Sequence, residues 1–213
     1  MKRLLPQVLL FTFMFHVTGC SQETVIKLPQ PQTNGGMPLM EALQKRSTSR
    51  EFSPKELDLQ TLSNLLWAAN GINRPADGLK TAPSAVNWQE IDVYISLPKG
   101  VYVYNALENQ LELYMKGDIR EATGLQPFVK EAPVNLIYVA DFSRMGDRDE
   151  TTKHWYSAAD AAFIAQNVYL FCTSENLAAV VRGAVDKDEL KKNMKLPEHK
   201  HVVLCHSVGY HPE

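Results

Sequence analysis

The apolar positions of this chain change period several times, and each change marks an element. Leu39, Met40 and Leu43 fall on one side of a short helix predicted over Pro38–Lys45, with proline at its start, where a missing N–H costs nothing. Leu59, Leu62, Leu65 and Leu66 repeat at helical spacing after Asp58, a good N-cap, and Asn70-Gly71 supplies the stop. Gly71–Gln89 has no period and reads as a long irregular stretch; such loops inside a domain are usually functional or disordered. His154–Asn176 is the longest helix predicted, and Ala158, Ala159, Ala161, Ala162 and Ala165 give it a small side suited to close packing.

Strands alternate with these helices. "IDVYISL" (Ile91–Leu97) keeps a period of two, and Val101–Tyr104 and Gln110–Met115 follow it across short turns. Ala132–Ala140 is apolar enough for a buried strand, while Asp141–Lys153 is charged, without period, and reads as a surface loop. Asp118–Thr123 is a short helix, Ala178–Val185 a strand running into a turn, Asp186 the cap of a helix to Met194, and "HVVLCHSVG" a last strand. Because the strands after Gln89 form a meander, the pattern predicts an α+β fold, with helices on a mostly antiparallel sheet.

The first residues have a different character. Lys2 and Arg3 precede a mostly apolar run, Leu4–Val17, and then "VTGC" (Val17–Cys20). The run is short for a membrane span, and the order matches a cleaved signal peptide over residues 1–19. A cysteine at that place resembles a bacterial lipobox, which implies a diacylglycerol on Cys20 and attachment in the cell envelope, periplasmic or surface-exposed. Residues 20–36 hold Pro, Gln, Asn and Gly and read as a tether, with one domain over residues 37–213. With 45% hydrophobic residues the chain can build one sizeable core, and a formal charge of -2 argues against a general nucleic-acid binder. Cys172 and Cys205 fall in apolar segments and read as small buried hydrophobes, with a disulfide between them the alternative in an oxidising compartment.

Three segments could carry chemistry. "KRSTSREF" gathers Lys45, Arg46 and Arg50 around Ser47, Thr48 and Ser49, a donor set that suits phosphate, although a solvated helix end would look the same. "TAPSAVNWQ" offers small residues for close approach of a planar ligand, and Asn87 and Gln89 for its mixed edges; its bland reading is a surface loop. "VVRGAVD" places glycine after a strand, either for close approach to the backbone or as a simple turn into the Asp186 cap. His199, His201, His206 and His211 are close in sequence, but no cysteine pair or zinc-helix motif accompanies them, so no metal site is assigned.

Together, in order and spacing from about Met37 to Tyr210, these segments resemble the FMN-dependent nitroreductases, and more closely their branch typified by SagB and the thiazoline/oxazoline oxidases. "LLWAANGINRPADGLKTAPSAVNWQEIDVYI", "GVYVYNALENQLELYMKGD" and "AADAAFIAQNVYLFC" carry the likeness. The resemblance implies a three-layer homodimer and an oxidoreductase in which FMN moves hydride or electrons to or from a small organic substrate. It implies that Arg46, Ser47, Thr48 and Arg50 hold the FMN phosphate and ribityl chain. Pro83, Ser84, Ala85 and Asn87 would lie along the flavin, generally from the other subunit, and the backbone of Arg182 and Gly183 would face the ring near N5. No general acid is assigned; His154, Tyr156 and Tyr114 are candidate lid or substrate contacts, although surface or core packing accounts for each.

The chain departs from the family in two places. Glu90-Ile91 stands where many relatives have Pro-Trp, and His211 is the only candidate for the basic residue many relatives carry beyond the last strand. An envelope protein also meets little NAD(P)H, so the resemblance leaves either another electron donor or an oxidase direction. The alternative is a lipid-anchored flavin-binding or partner protein of the same fold without turnover.

Overall fold

The computed structural model describes residues 24–213. In chain order its elements are β1 (Val25–Lys27), α1 (Leu39–Lys45), α2 (Leu59–Asn70), β2 (Ile72–Arg74), β3 (Leu79–Lys80), β4 (Ile91–Leu97), β5 (Gly100–Asn105), β6 (Gln110–Lys116), β7 (Val134–Asp141), α3 (Glu150–Ser174), β8 (Leu177–Arg182), α4 (Lys187–Asn193) and β9 (Lys200–Tyr210). Seven strands form one sheet in the order β1-β6-β5-β4-β7-β9-β8. Every pairing in it is antiparallel.

The centre is β7, buried at every residue because both of its faces are covered. Its side chains divide with period two. Leu136, Tyr138 and Ala140 join the core shared with Leu65, Leu66, Ile164 and Val168 of α2 and α3. Ile137 and Val139 join the second core, against Leu190 of α4 and Met194. The same alternation puts Val93 and Ile95 of β4 on the first side and Tyr94 on the second. The result is the expected α+β fold in three layers: α2 and α3, the sheet, then α4.

The helix signals act as read, with shifts. Asp58 accepts a hydrogen bond from the Thr61 N–H at 2.8 Å and starts α2. Asp149 does the same from Thr152 at 2.9 Å, so α3 begins at Glu150, before the predicted His154. The segment before it is not wholly a surface loop, because Phe142 and Met145 are buried there. Of the alanines on α3, Ala161 and Ala165 face the core, whereas Ala158 and Ala162 are exposed.

Two further stretches differ from the sequence reading. Within the predicted tether, Val25–Lys27 pairs with Gln110–Glu112 of β6 as an edge strand. Leu28 is buried behind it, the Pro29 carbonyl accepts from Ser63 Oγ at 2.5 Å and from Asn109 Nδ2 at 2.7 Å, and the Met37 N–H donates to Ser174 Oγ at 2.7 Å. The folded unit therefore includes residues before Met37. A single buried leucine among polar neighbours gives no period to read. The second stretch is Gly71–Gln89, which contains the hairpin of β2 and β3, turned at Gly78 with φ +63°. The signal peptide expected over residues 1–19 and the lipid site expected at Cys20 lie outside the described residues. Cys172 and Cys205 are buried free thiols, both pushed up by burial, Cys205 to about 12.

Candidate functional site

The segment after α1 leaves the helix at Arg46 and runs extended, so its side chains take opposite sides in turn. On one side, the Arg46 guanidinium lies over the Tyr169 ring at 5.4 Å and Thr48 Oγ1 is 3.1 Å from the Tyr169 hydroxyl. On the other, Ser47 and Ser49 line a cavity of about 220 Å³ together with Lys45 and His211. Ser47 is thus parted from Arg46 and Thr48, and His211 joins the serines rather than the guanidinium. Lys45 pairs with Glu41 at 2.7 Å, whereas Arg46 and Arg50 have no carboxylate partner among the described residues.

Tyr169 organises this region. Its ring is buried in α3, and its hydroxyl accepts from the Val181 N–H of β8 at 2.9 Å as well as meeting Thr48. The Ser49 N–H donates to the Ala179 carbonyl at 3.0 Å, so the basic segment is laced along β8 toward Arg182 and Gly183. Arg182 turns its side chain inward: it is buried and donates to the Thr123 carbonyl at 2.5 Å, to Asn135 Oδ1 at 2.8 Å and to Ser207 Oγ at 3.0 Å. Burial lowers its pKa. Only the backbone of Arg182 and Gly183 is left to face a ligand. Gly124 makes room for that guanidinium; a Cβ there would meet Arg182 Nη1 at 1.9 Å.

Pro83–Asn87 forms a tight loop beside α3. Ser84 Oγ accepts from the Gln89 N–H at 2.9 Å, and Asn87 Oδ1 accepts from Gln89 Nε2 at 3.0 Å. Val86, Asn87 and Gln89 have φ of 51°, 58° and 49°. Asparagine tolerates that left-handed region, but a β-branched valine does not, so the loop is strained at Val86. Its anchor is the Ala85 N–H, which donates to Asp160 Oδ2 of α3 at 2.9 Å.

Beneath the loop lies a buried acidic pair that sequence reasoning missed. Glu90 is 0% exposed and Asp160 is 3% exposed, and both Glu90 oxygens lack a hydrogen-bond partner. Burial pushes the Glu90 carboxyl up, and the neighbouring Asp160 adds to the shift; burial also raises Asp160, against the Ala85 N–H. The departure at Glu90-Ile91 was the available signal, since a carboxyl leading into an apolar strand must be solvated or share a proton. Tyr169 gave a fainter one: a tyrosine on the core side of a helix needs a partner for its hydroxyl.

The first and third predicted segments therefore meet, through Tyr169 and β8. The second does not join them. Its anchor Asp160 precedes Tyr169 by nine residues of α3, two and a half turns and about 14 Å, which sets the two on opposite sides of the helix. The cavity beside Ser47 and the small one under Pro83 share no residue. A cavity of about 670 Å³ between Asn64, Trp67, Asn167 and Phe171 contains none of the predicted site residues. His206 is buried against Tyr138, its Nδ1 3.1 Å from the tyrosine hydroxyl, and so is held apart from the exposed His199 and His211.

Comparison with known proteins agrees with this architecture. A profile of the Nitroreductase family matches residues 43–210. A Methanocaldococcus jannaschii protein provisionally named a nitroreductase is 30% identical over 175 residues, covering 76% of this chain and 86% of that protein. The crystal structure of a Ralstonia eutropha protein, also provisionally named a nitroreductase, superposes with a TM-score of 0.86 at 42% identity, covering 90% of this chain and 91% of the other. A chain of the E. coli microcin synthetase McbBCD complex with truncated pro-MccB17 bound shares the fold, with a TM-score of 0.68 at 16% identity over 88% of this chain and 79% of that one.

Proposed function

The chain belongs to the nitroreductase family and is an oxidoreductase, and on that premise we propose that it binds FMN between two copies of itself. The observation that carries this reading is the side of the basic segment facing Tyr169. Arg46 and Thr48 are fixed there beside the end of β8, and Arg46 and Arg50 have no acidic partner among the described residues to neutralise them. That donor set fits a phosphate, which accepts paired contacts from guanidinium groups and a hydroxyl. Ser47 belongs to the opposite face, so the phosphate is assigned to Arg46, Thr48 and Arg50.

The backbone of Arg182 and Gly183 would then face the flavin ring, with an inward Arg182 side chain holding that turn in place. The Pro83–Asn87 loop lies across α3 from this region in one chain, which supports its contribution by a second copy. Exposed Leu39, Met40 and Leu43 on α1 and Trp155 and Phe163 on α3 offer the apolar surface for that dimer. Bound FMN would supply the hydride chemistry, while the protein orients the ring and excludes water.

Within the family we favour the azoline-oxidase-like branch, on the order of the "TAPSA" loop, the hairpin and the central helix. The lipobox-like Val17–Cys20 supports a place in the cell envelope, with an oxidase direction or a donor other than NAD(P)H. Purified protein is expected to be yellow and to release FMN on denaturation; colourless protein that takes up no added FMN overturns the reading. Air-free bleaching by NADH or NADPH would instead identify a conventional reductase. Loss of palmitate labelling in Cys20→Ala tests the anchor.

A further inference from the structure

Glu90 and Asp160 have no part in the reaction outlined above, yet Asp160 holds the loop proposed to lie along the flavin, and Glu90 is buried beside it. Asp160 Oδ2 accepts the Ala85 N–H at 2.9 Å and so anchors Pro83–Asn87 to α3. Glu90 lies three residues beyond the loop and is fully buried, with neither oxygen hydrogen-bonded. Two adjacent buried carboxyl groups do not both ionise, because each loses hydration and each repels the other.

We propose that Glu90 and Asp160 share one proton and that this proton positions the Pro83–Asn87 loop. With Glu90 protonated, its O–H donates to Asp160, which remains anionic and free to accept the Ala85 N–H on its other oxygen. Loss of that proton to water leaves two carboxylates face to face. Asp160 is then driven from Glu90, the Ala85 anchor loosens, and the left-handed strain at Val86 relaxes.

The surroundings favour the shared proton. From α3, Ser157 and Asp160 face Glu90; from the loop comes the Ala85 N–H; from β3, Lys80 lies within electrostatic reach. Lys80 would stabilise an ionised Glu90, but burial lowers its own pKa, and it is shared with Asp92. Arg144 is committed to the Gln89 carbonyl at 2.9 Å and to Asp92 at 2.9 Å. Burial therefore outweighs the cations, and the Glu90 carboxyl is raised to about 7.

The consequence for flavin rests on the proposed function; the proton pair itself does not. The direct test follows the Ala85 amide by nitrogen-proton NMR from about pH 6 to about pH 8. Its resonance is expected to titrate near neutrality in the wild type and to stay at its acidic-limit position in Glu90→Gln, whose amide mimics the protonated acid. Asp160→Asn should move the titration to lower pH, because a neutral amide no longer repels the Glu90 carboxylate. An Ala85 resonance that titrates equally in Glu90→Gln, or that does not move in the wild type, overturns the proposal. FMN retention read in parallel should weaken by up to about tenfold per pH unit above the midpoint in the wild type, and by less than about twofold in Glu90→Gln. If no form retains FMN while the amide still titrates, the proposed function fails and the proton pair stands.

Discussion

The hydroxyls of Thr48 and Tyr169 lie 3.1 Å apart and join the segment after α1 to α3. The Tyr169 hydroxyl also accepts the Val181 N–H at 2.9 Å, so one oxygen fixes the spacing between the basic segment and β8. Tyr169→Phe keeps the ring under Arg46 and removes both hydrogen bonds. We expect a stability loss of about 1 kcal/mol by denaturant titration. We also expect weaker FMN retention, because Thr48 is no longer held. Unchanged FMN affinity would confine Tyr169 to packing.

Arg46→Ala and Arg50→Ala should each weaken FMN retention about tenfold, roughly 1.4 kcal/mol, measured by flavin fluorescence. Ser47→Ala should leave it within about twofold, since Ser47 lines the cavity on the other side with Lys45 and His211. Loss of FMN in Ser47→Ala alone would reverse the assignment of faces.

Much of this arrangement was legible in the sequence. The alternation of "IDVYISL" and the apolar run before Asp141 specified the central strands, since period two divides residues between two covered faces. Asp58 and Asp186 signalled their helices. What stayed hidden depended on distant partners. β1 contributes hydrogen bonds to β6 but little buried apolar surface, and the role of Ser47 depended on which way an extended segment turns. The Glu90 and Asp160 carboxyls come from segments far apart in the chain, and no local pattern announces their meeting.

Glu90 also predicts how stability depends on pH. Its folded pKa is raised from 4.5 to about 7, so the native state holds more protons than the unfolded chain between those values. Stability from this group is complete below about pH 4.5 and falls as pH rises toward about 7, by at most about 1.4 kcal/mol per unit. Glu90→Gln should remove that slope and be the more stable protein at about pH 8 in thermal unfolding. A wild type that gains stability across this window relative to Glu90→Gln would contradict the assignment.

Met40→Asp on α1 and Phe163→Asp on α3 place charges on side chains that are 76% and 48% exposed in the single chain. If these surfaces meet in a dimer, each variant should sediment as a monomer and lose FMN together with the dimer. Monomeric wild type with FMN bound would exclude a shared site.

The order of strands also orients the molecule. β1 is one edge of the sheet and β8 the other, six strand spacings apart, which is roughly 29 Å at about 4.8 Å per spacing. The chain enters the fold at β1, while Arg46, Thr48 and the turn at Gly183 gather beside β8. The proposed redox surface therefore lies clear of the edge at which β1 joins the sheet, and nothing that packs on β1 would cover it.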